Sequence, residues 1–217
     1  MKNFLSIGTG PGIGAATAER FALNGYRVIL ASRSSDRLKN IADQLNAKER
    51  TASVANVDAA NPESIEQLVA ATESRLGPID TLHYNAGVMH QTSLETLDAA
   101  GFEYDLSVNV VGAYAAIRAV LPGMSKRAQG TILLTGGGFG LQPAPDYIAM
   151  SVGKAGLRAL ALGLFEDLRK RGIHIATVTL CAHVEPGSDG VAAVSNEFLK
   201  LRNQENEAWT AETIFTP

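Results

Sequence analysis

The chain reads Gly8-Thr9-Gly10-Pro11-Gly12-Ile13-Gly14 between a short apolar run, residues 4–7, and a segment with the pattern of a helix, residues 15–21. A glycine-rich turn from a first strand into a first helix directs backbone N–H groups and a helix N-terminus at one place. Glycine is needed because a side chain would hold a phosphate away from the backbone or forbid a turn with positive φ. The stretch therefore predicts a pyrophosphate site, with an ordinary glycine-punctuated strand-to-helix turn as the alternative.

Length and composition are those of an ordinary globular protein. The 217 residues suffice for one α/β domain, and 46% hydrophobic with 19% charged residues leave a net charge of −3. That charge gives no electrostatic case for binding nucleic acid or an anionic membrane surface. The single Cys181 excludes an internal disulfide framework. No leader peptide or bilayer-spanning segment is predicted, so we expect a cytoplasmic protein with no nucleic-acid, membrane or metal partner.

Strand and helix patterns alternate along the chain. Repeated strand–helix units require a parallel sheet with helices on both faces. No linker interrupts the alternation, so we predict a single doubly wound α/β domain over residues 1–217, with its ligand site at the carboxyl edge of the sheet. Strands are predicted over residues 26–31, 51–57, 79–84, 130–135, 173–180 and 213–215, and the longest helices over about 102–124 and 147–170.

Four signatures occur in order along the chain. They are Gly8-x-x-x-Gly12-x-Gly14, Asn85-Ala86-Gly87 after a predicted strand, Asn109 in the first long helix, and Lys154-Ala155-Gly156-Leu157 in the second. With these signatures in register, the chain resembles the short-chain dehydrogenase/reductase family over nearly its whole length. The resemblance implies a Rossmann-type fold, a nicotinamide dinucleotide cofactor, and hydride transfer to or from a small carbonyl, alcohol or related substrate.

The resemblance also implies roles for particular residues. Lys154 would bind the hydroxyls of the nicotinamide ribose, with a solvated helix lysine as the alternative. Asn109 matches an asparagine that holds a proton-relay water, with a buried hydrogen-bonding residue or a helix kink as the alternative. Asn56 stands where the family often has an aspartate that faces the adenine amino group. The expected cofactor-binding set is Gly8, Gly10, Pro11, Gly12, Ile13, Gly14, Ser32, Arg33, Asn56, Val57, Asn85, Ala86, Gly87 and Lys154.

Two catalytic positions depart from the family pattern, and Leu180-Cys181 replaces the Pro-Gly usually found after the sixth strand. Met150 stands four residues before Lys154, where the family has the tyrosine that transfers the proton, and Gly137 stands where a serine orients the substrate oxygen. Neither methionine nor glycine can perform those tasks. The chain therefore looks like a divergent branch that lacks the usual catalytic serine and tyrosine. Tyr147, Ser151, His183 and Glu185 are the other possible proton donors, each with a capping, core or solvated role as its alternative.

The segment after the second strand indicates which cofactor is used. NAD-binding proteins of this fold usually carry an acidic residue there for the ribose 2′-hydroxyl. Here the segment reads Ala31-Ser32-Arg33-Ser34-Ser35. Arg33 can form charge-assisted hydrogen bonds with a 2′-phosphate, and Ser32 or Ser34 can add another. We therefore expect NADP as the cofactor. The alternative is that Arg33 is a solvated turn residue without a role in binding.

Taken with the resemblance, these residues predict an NADP-dependent oxidoreductase with non-standard proton delivery. A catalytically silent NADP(H)-binding sensor or partner subunit, and a non-redox enzyme on the same scaffold, are the alternatives. The helical stretches 108–121 and 152–165 are apolar or small on nearly every face. One face of each helix can pack on the sheet, and the other would leave apolar surface exposed unless a second chain covers it. We therefore expect a homodimer or homotetramer, as the resemblance also implies.

Overall fold

The computed structural model describes residues 1–216, with the side chain of Ser35 left out of the description. Within that range the strands form one parallel sheet in the order β3-β2-β1-β4-β5-β6-β7. The order reverses between β1 and β4, and ligands of such sheets bind at the carboxyl ends of the strands next to that reversal. The strands are β1 Asn3–Ile7, β2 Arg27–Ser32, β3 Ala52–Asn56, β4 Ile79–Tyr84, β5 Gly130–Thr135, β6 Ile173–Leu180 and β7 Glu212–Phe215.

Helices cover both faces of the sheet. On one face, Phe21 and Phe198 pack with Phe4, Val28 and other strand side chains. On the other face, apolar residues of α3, α5 and α6 pack with the remaining strand side chains. This three-layer arrangement is a doubly wound Rossmann-type α/β fold. The helices are α1 Ile13–Leu23, α2 Ser35–Ala47, α3 Pro62–Leu76, α4 Ala99–Leu106, α5 Gly112–Arg127, α6 Ile148–Lys170 and α7 Asp189–Arg202.

The structure differs from the sequence-based expectations in three places. The predicted helix over about 102–124 is α4 and α5 joined by a π-helical turn, Ser107–Val111. Helix α7 was not predicted, although Ser188 caps it through a hydrogen bond from the Val191 N–H. The expectation that no segment is long and apolar enough to span a bilayer was wrong, since Ala99–Arg127 and Pro145–Lys170 meet that criterion by length and composition. Both stretches also contribute to the core, for example through Ile117 and Leu157, which gives their apolar character a structural reason.

Candidate active site

The glycine-rich loop connects β1 to α1 at the carboxyl edge of the sheet. Gly8 has φ +83°, and a Cβ there would collide with the backbone of Ala86. A Cβ on Gly14 would lie 2.9 Å from Thr9 Cα and 3.1 Å from Asn85 Nδ2. Gly12 is the N-cap of α1 and offers no side-chain acceptor to the N–H groups of the first turn. The loop is thus packed tightly against the Asn85 segment and leaves a helix N-terminus available for an anion.

A cavity of ≈ 300 Å³ opens beside this loop. It brings together eight of the expected cofactor-binding residues, namely Gly8, Gly10, Ser32, Arg33, Val57, Asn85, Ala86 and Gly87. Thr9, Asp58, Ala59, Val88 and Val108 complete the wall, and the sequence analysis did not include them in the cofactor-binding set. Gly12, Ile13, Gly14 and Lys154 lie outside the cavity lining, and Pro11 lines a separate surface depression between α1, α2 and α7. Asn56 also lies outside it, and its amide donates to the Arg33 carbonyl oxygen at 3.2 Å.

Arg33 lies at the mouth of the cavity and is exposed. Its Nη1 donates to the Tyr104 hydroxyl at 2.9 Å, which links the end of β2 to α4. The Ser32 hydroxyl accepts from the Ser34 N–H at 3.3 Å and so shapes the turn. The next carboxylate along the chain, Asp36, pairs with Lys39 at 2.7 Å on the outside of α2.

A chain of hydrogen bonds runs beneath the site through buried polar residues. Burial lowers the pKa of His83 to about 3, so its ring is neutral. The Thr135 hydroxyl donates to Asn85 Oδ1 at 2.9 Å and must therefore accept from His83 Nε2, 3.1 Å away. His83 Nδ1 then accepts from the Ser6 hydroxyl at 3.2 Å, and Asn85 Nδ2 donates to the Gly8 carbonyl oxygen at 2.8 Å. All four bonds point the same way, from the core to the glycine-rich loop.

Lys154 reaches the same edge of the sheet from α6. Its Nζ donates to the Thr135 carbonyl oxygen at 2.6 Å. Desolvation lowers the pKa of Lys154 to about 8, because removal from water disfavours the charged ammonium group. The side chain crosses Gly137, where an added Cβ would lie 3.2–3.4 Å from its aliphatic carbons.

Asn109 lies in the π-helical turn and is 1% exposed. Its Oδ1 accepts from the Val88 N–H at 2.8 Å, and its Nδ2 donates to the Val88 carbonyl oxygen at 3.2 Å. A Cβ on Gly153 would lie 2.6 Å from Asn109 Cβ, so α6 packs closely on this residue one position before Lys154. Asn109 therefore ties the segment that follows Gly87 to α6. π-Helical turns recur at functional sites.

The expected proton donors are placed unevenly. The Ser151 hydroxyl is buried, donates to the Tyr147 carbonyl oxygen at 2.9 Å and accepts from the Ala144 N–H at 3.1 Å. Tyr147 is half-buried, precedes the first residue of α6, and stacks on Phe139 with ring centroids 5.1 Å apart. The Ser151 hydroxyl is thus hydrogen-bonded to two backbone groups, whereas the Tyr147 hydroxyl has no hydrogen-bond partner among the described residues. His183 and Glu185 are exposed in the loop between β6 and α7.

Comparison with known proteins identifies the family. The short chain dehydrogenase family profile matches residues 2–186. The chain belongs to the short-chain dehydrogenase/reductase family. It is 30% identical over 173 residues to an uncharacterized oxidoreductase of Staphylococcus saprophyticus, covering 79% of this chain and 74% of the relative. It is 30% identical over 179 residues to an uncharacterized oxidoreductase of Listeria monocytogenes, covering 82% and 72%.

Solved structures agree on the fold. A short-chain dehydrogenase from Rhodopseudomonas palustris superimposes with a TM-score of 0.91 at 24% identity, over 100% of this chain and 98% of that one. A metagenomic short-chain oxidoreductase solved in complex with NADP also gives a TM-score of 0.91 at 24% identity, over 99% and 97% of the two chains. The Rossmann-type fold predicted from sequence is confirmed. The family and its relatives support an oxidoreductase that uses a nicotinamide cofactor.

Proposed function

We propose that this protein is an NADP-dependent oxidoreductase that transfers a hydride between the nicotinamide and a small carbonyl, alcohol or related compound, with proton delivery by a residue other than the family tyrosine. The observation that carries the proposal is Arg33, whose side chain lies exposed at the mouth of the cavity beside the glycine-rich loop. A guanidinium group pairs with a phosphate through charge-assisted, bidentate hydrogen bonds. The NADP complex of the metagenomic relative supports the same choice by analogy of fold.

The residues of the cavity and those around it fit such a cofactor. Gly8 and Gly14 leave no room for side chains, so the loop backbone and the uncapped start of α1 are free to approach a pyrophosphate. The Lys154 ammonium is a donor of suitable reach for ribose hydroxyls, in exchange for its bond to the Thr135 carbonyl oxygen. Asp58 in the cavity wall offers an acceptor for an amino group. Bound there, the nicotinamide supplies or accepts the hydride.

Binding of NADPH and NADH by purified protein tests this proposal. The native chain should bind NADPH more tightly, and Arg33→Asp should weaken NADPH binding and narrow the gap to NADH because the 2′-phosphate then faces a like charge. Arg75→Asp, an exposed change of the same charge at the C-terminal end of α3, is the matched control and should leave the preference intact. Equal affinities of the native chain for the two cofactors would contradict the proposal.

A silent NADP(H)-binding sensor or partner subunit is the second candidate function. The observation that favours it is the loss of both family groups, because Met150 and Gly137 can neither donate a proton nor orient a carbonyl oxygen. Incubating the protein with NADPH and a panel of ketones, aldehydes and enones separates the two functions. NADPH consumption that needs both protein and substrate supports the enzyme, whereas tight binding without turnover supports the sensor.

We further propose a homodimer or homotetramer assembled through α5 and α6. Each helix exposes apolar side chains on the face turned away from the sheet, namely Tyr114 at 47%, Val152 at 41% and Leu162 at 41%. Exposed apolar residues on adjacent helices are characteristic of a contact with a second chain.

A further inference from the structure

A histidine–aspartate pair lies beside α4, outside the set of residues that the family pattern supplies. Asp105 is 4% exposed, and its Oδ2 lies 3.3 Å from Nε2 of His90. The His90 side chain is 47% exposed. A carboxylate with so little access to water requires a partner, and Nε2 of His90 lies within ion-pair distance of it, which leaves Nδ1 on the other side of the ring.

The bonds of its own segment place His90 along α6. At one end of residues 88–92, Val88 is bonded to Asn109, which packs on Gly153. At the other end, the Thr92 N–H donates to the Asp146 carbonyl oxygen at 2.9 Å. His90 is the middle residue of this segment, so it lies between the level of Gly153 and the level of Asp146. The midpoint falls at residues 149–150 of α6.

The packing of α4 places the pair at the same level. Because α4 and α6 follow the neighbouring parallel strands β4 and β5, the two helices run in the same direction. Asp105 precedes Asn109 by four residues, about one helical turn, and shares its face. The position four residues before Gly153, the partner of Asn109, is Ala149. Both arguments use the contact of Asn109 with Gly153, and together they place His90 and Asp105 at the level of Met150 along α6.

We propose that His90, oriented by Asp105, is the proton donor of this active site and replaces the tyrosine that Met150 has displaced. This inference rests on the proposed oxidoreductase function. Histidine exchanges a proton near neutral pH, and the exposed half of the ring regains it from solvent. Met150 supplies an apolar surface where the family has a phenol.

The proton and electron balance is that of carbonyl reduction. A hydride from the reduced nicotinamide of the proposed function adds to the carbonyl carbon, and the π electron pair moves onto the oxygen. The imidazolium of His90 gives its Nδ1 proton to that oxygen, so that an N–H bond breaks and an O–H bond forms. The neutral ring keeps its Nε2 proton toward Asp105 and takes up a new Nδ1 proton from water. Alcohol oxidation follows the same path in reverse.

Few other ionisable groups face this pair. Asp146 and Tyr147 lie on the turn that holds the far end of the segment, and the Asp146 carboxylate accepts from the Gln91 amide at 3.2 Å. Lys154 lies one turn further along α6 and is bonded to Thr135. Glu103 is exposed on α4, two residues from Asp105. Asp105 is thus the carboxylate in contact with the ring among the residues that the structure describes.

The test combines a titration without substrate and a kinetic pH profile. ¹⁵N-histidine spectra of the protein measure the midpoint of the His90 titration without substrate. With NADPH and a carbonyl substrate, Asp105→Asn should lower kcat and leave NADPH affinity unchanged, since the carboxylate no longer orients the ring. Glu103→Gln removes the same charge from an exposed site on the same helix and should leave kcat unchanged. With NADPH and a carbonyl substrate, His90→Gln should lower kcat by about 10²–10⁴-fold and leave NADPH affinity unchanged.

Each outcome decides the inference. It is supported when kcat falls as pH rises through the midpoint measured for His90 and this dependence disappears in His90→Gln. It is overturned when His90→Gln keeps the native kcat and pH profile, when His183→Gln loses the activity instead, or when Asp105→Asn keeps the native kcat. Failure of the native chain to bind NADPH, or to reduce any carbonyl, overturns the proposed function as well. Native turnover that persists in His90→Gln overturns this inference alone.

Discussion

His83 Nε2 lies 3.1 Å from Thr135 Oγ1, and this contact joins the buried interior of the sheet to the edge where the cofactor cavity opens. Because Thr135 donates onward to Asn85 and Asn85 to Gly8, the orientation of one amide and one loop carbonyl depends on a neutral ring in the core. Hydrogen bonds aligned in this way strengthen one another in a medium of low dielectric constant.

Removing the Thr135 hydroxyl should therefore affect both stability and cofactor binding. Thr135→Val leaves His83 without an acceptor and Asn85 without a donor, so we expect a loss of about 1–3 kcal/mol in the free energy of unfolding together with weaker NADPH binding. Thr135→Ser keeps the hydroxyl and should restore the affinity. Thr177→Val removes a buried hydroxyl on the neighbouring strand whose bond goes to the Leu134 carbonyl oxygen. That variant should lose stability but keep the affinity, as denaturant melts and fluorescence titration will show.

The neutral state of His83 predicts acid sensitivity. Its folded-state pKa of about 3 lies below the value of 6.5 for an exposed ring, so the unfolded chain binds more protons between these values. The stability contributed by the neutral ring is therefore complete above pH 6.5 and is lost as the pH falls toward 3, by at most about 1.4 kcal/mol per pH unit. Desolvation lowers the pKa of His174 as well, so it adds in the same direction. His83→Gln should flatten the dependence of the unfolding free energy on pH. An unchanged slope would mean that His83 is protonated in the folded chain as readily as in the unfolded chain.

Sequence patterns predicted the fold well, because it depends on local rules, and the glycine-rich loop lies at the predicted carboxyl edge of the sheet. The glycines of residues 8–14 and the alternation of strands and helices are readable without tertiary contacts. The π-helical turn at Ser107–Val111 was missed because its apolar pattern is that of an α-helix, and Asn109 within it bonds to Val88, a tertiary contact that local patterns do not reveal.

The catalytic end was harder to predict. His90 and Asp105 are 15 residues apart in an irregular segment and a helix, and neither belongs to a family motif. Their pairing arises from the path of residues 88–92 across α4 and α6. The periodicity of the sequence does not predict that path. Asp105 is one of two acidic residues in α4, and the sequence pattern does not distinguish its burial from the exposure of Glu103. Asp58 lines the cavity and was not predicted to do so, because its position depends on the turn after β3.

The exposed apolar residues of α5 and α6 give a direct test of assembly. Val152→Glu combined with Leu162→Glu places two charges on the outer face of α6 and should convert an oligomer into monomers, because burying an unpaired charge is costly. Leu23→Glu makes the same change on α1, which packs on the opposite face of the sheet, and should leave the oligomer intact. Light scattering at micromolar concentration measures the mass of each variant. A native chain that is already monomeric would contradict the proposed homodimer or homotetramer.

Restoring the family groups tests what the active site has lost. Met150→Tyr places a phenol one helical turn before Lys154, and Gly137→Ser places a hydroxyl beside the same lysine. The added Cβ at residue 137 meets the aliphatic carbons of Lys154 at 3.2–3.4 Å, and a flexible side chain can shift by that margin. If the missing acid limits the reaction, the double variant should raise kcat for ketone reduction, with NADPH affinity unchanged because Arg33 and the glycine-rich loop are untouched.

The gain should be largest in the His90→Gln background, where no other donor competes, and a gain of the same size in both backgrounds would show that His90 takes no part in proton transfer. Brisk ketone reduction by the native chain that His90→Gln abolishes would instead show that the site already has an efficient acid, and the silent-subunit alternative would then be wrong.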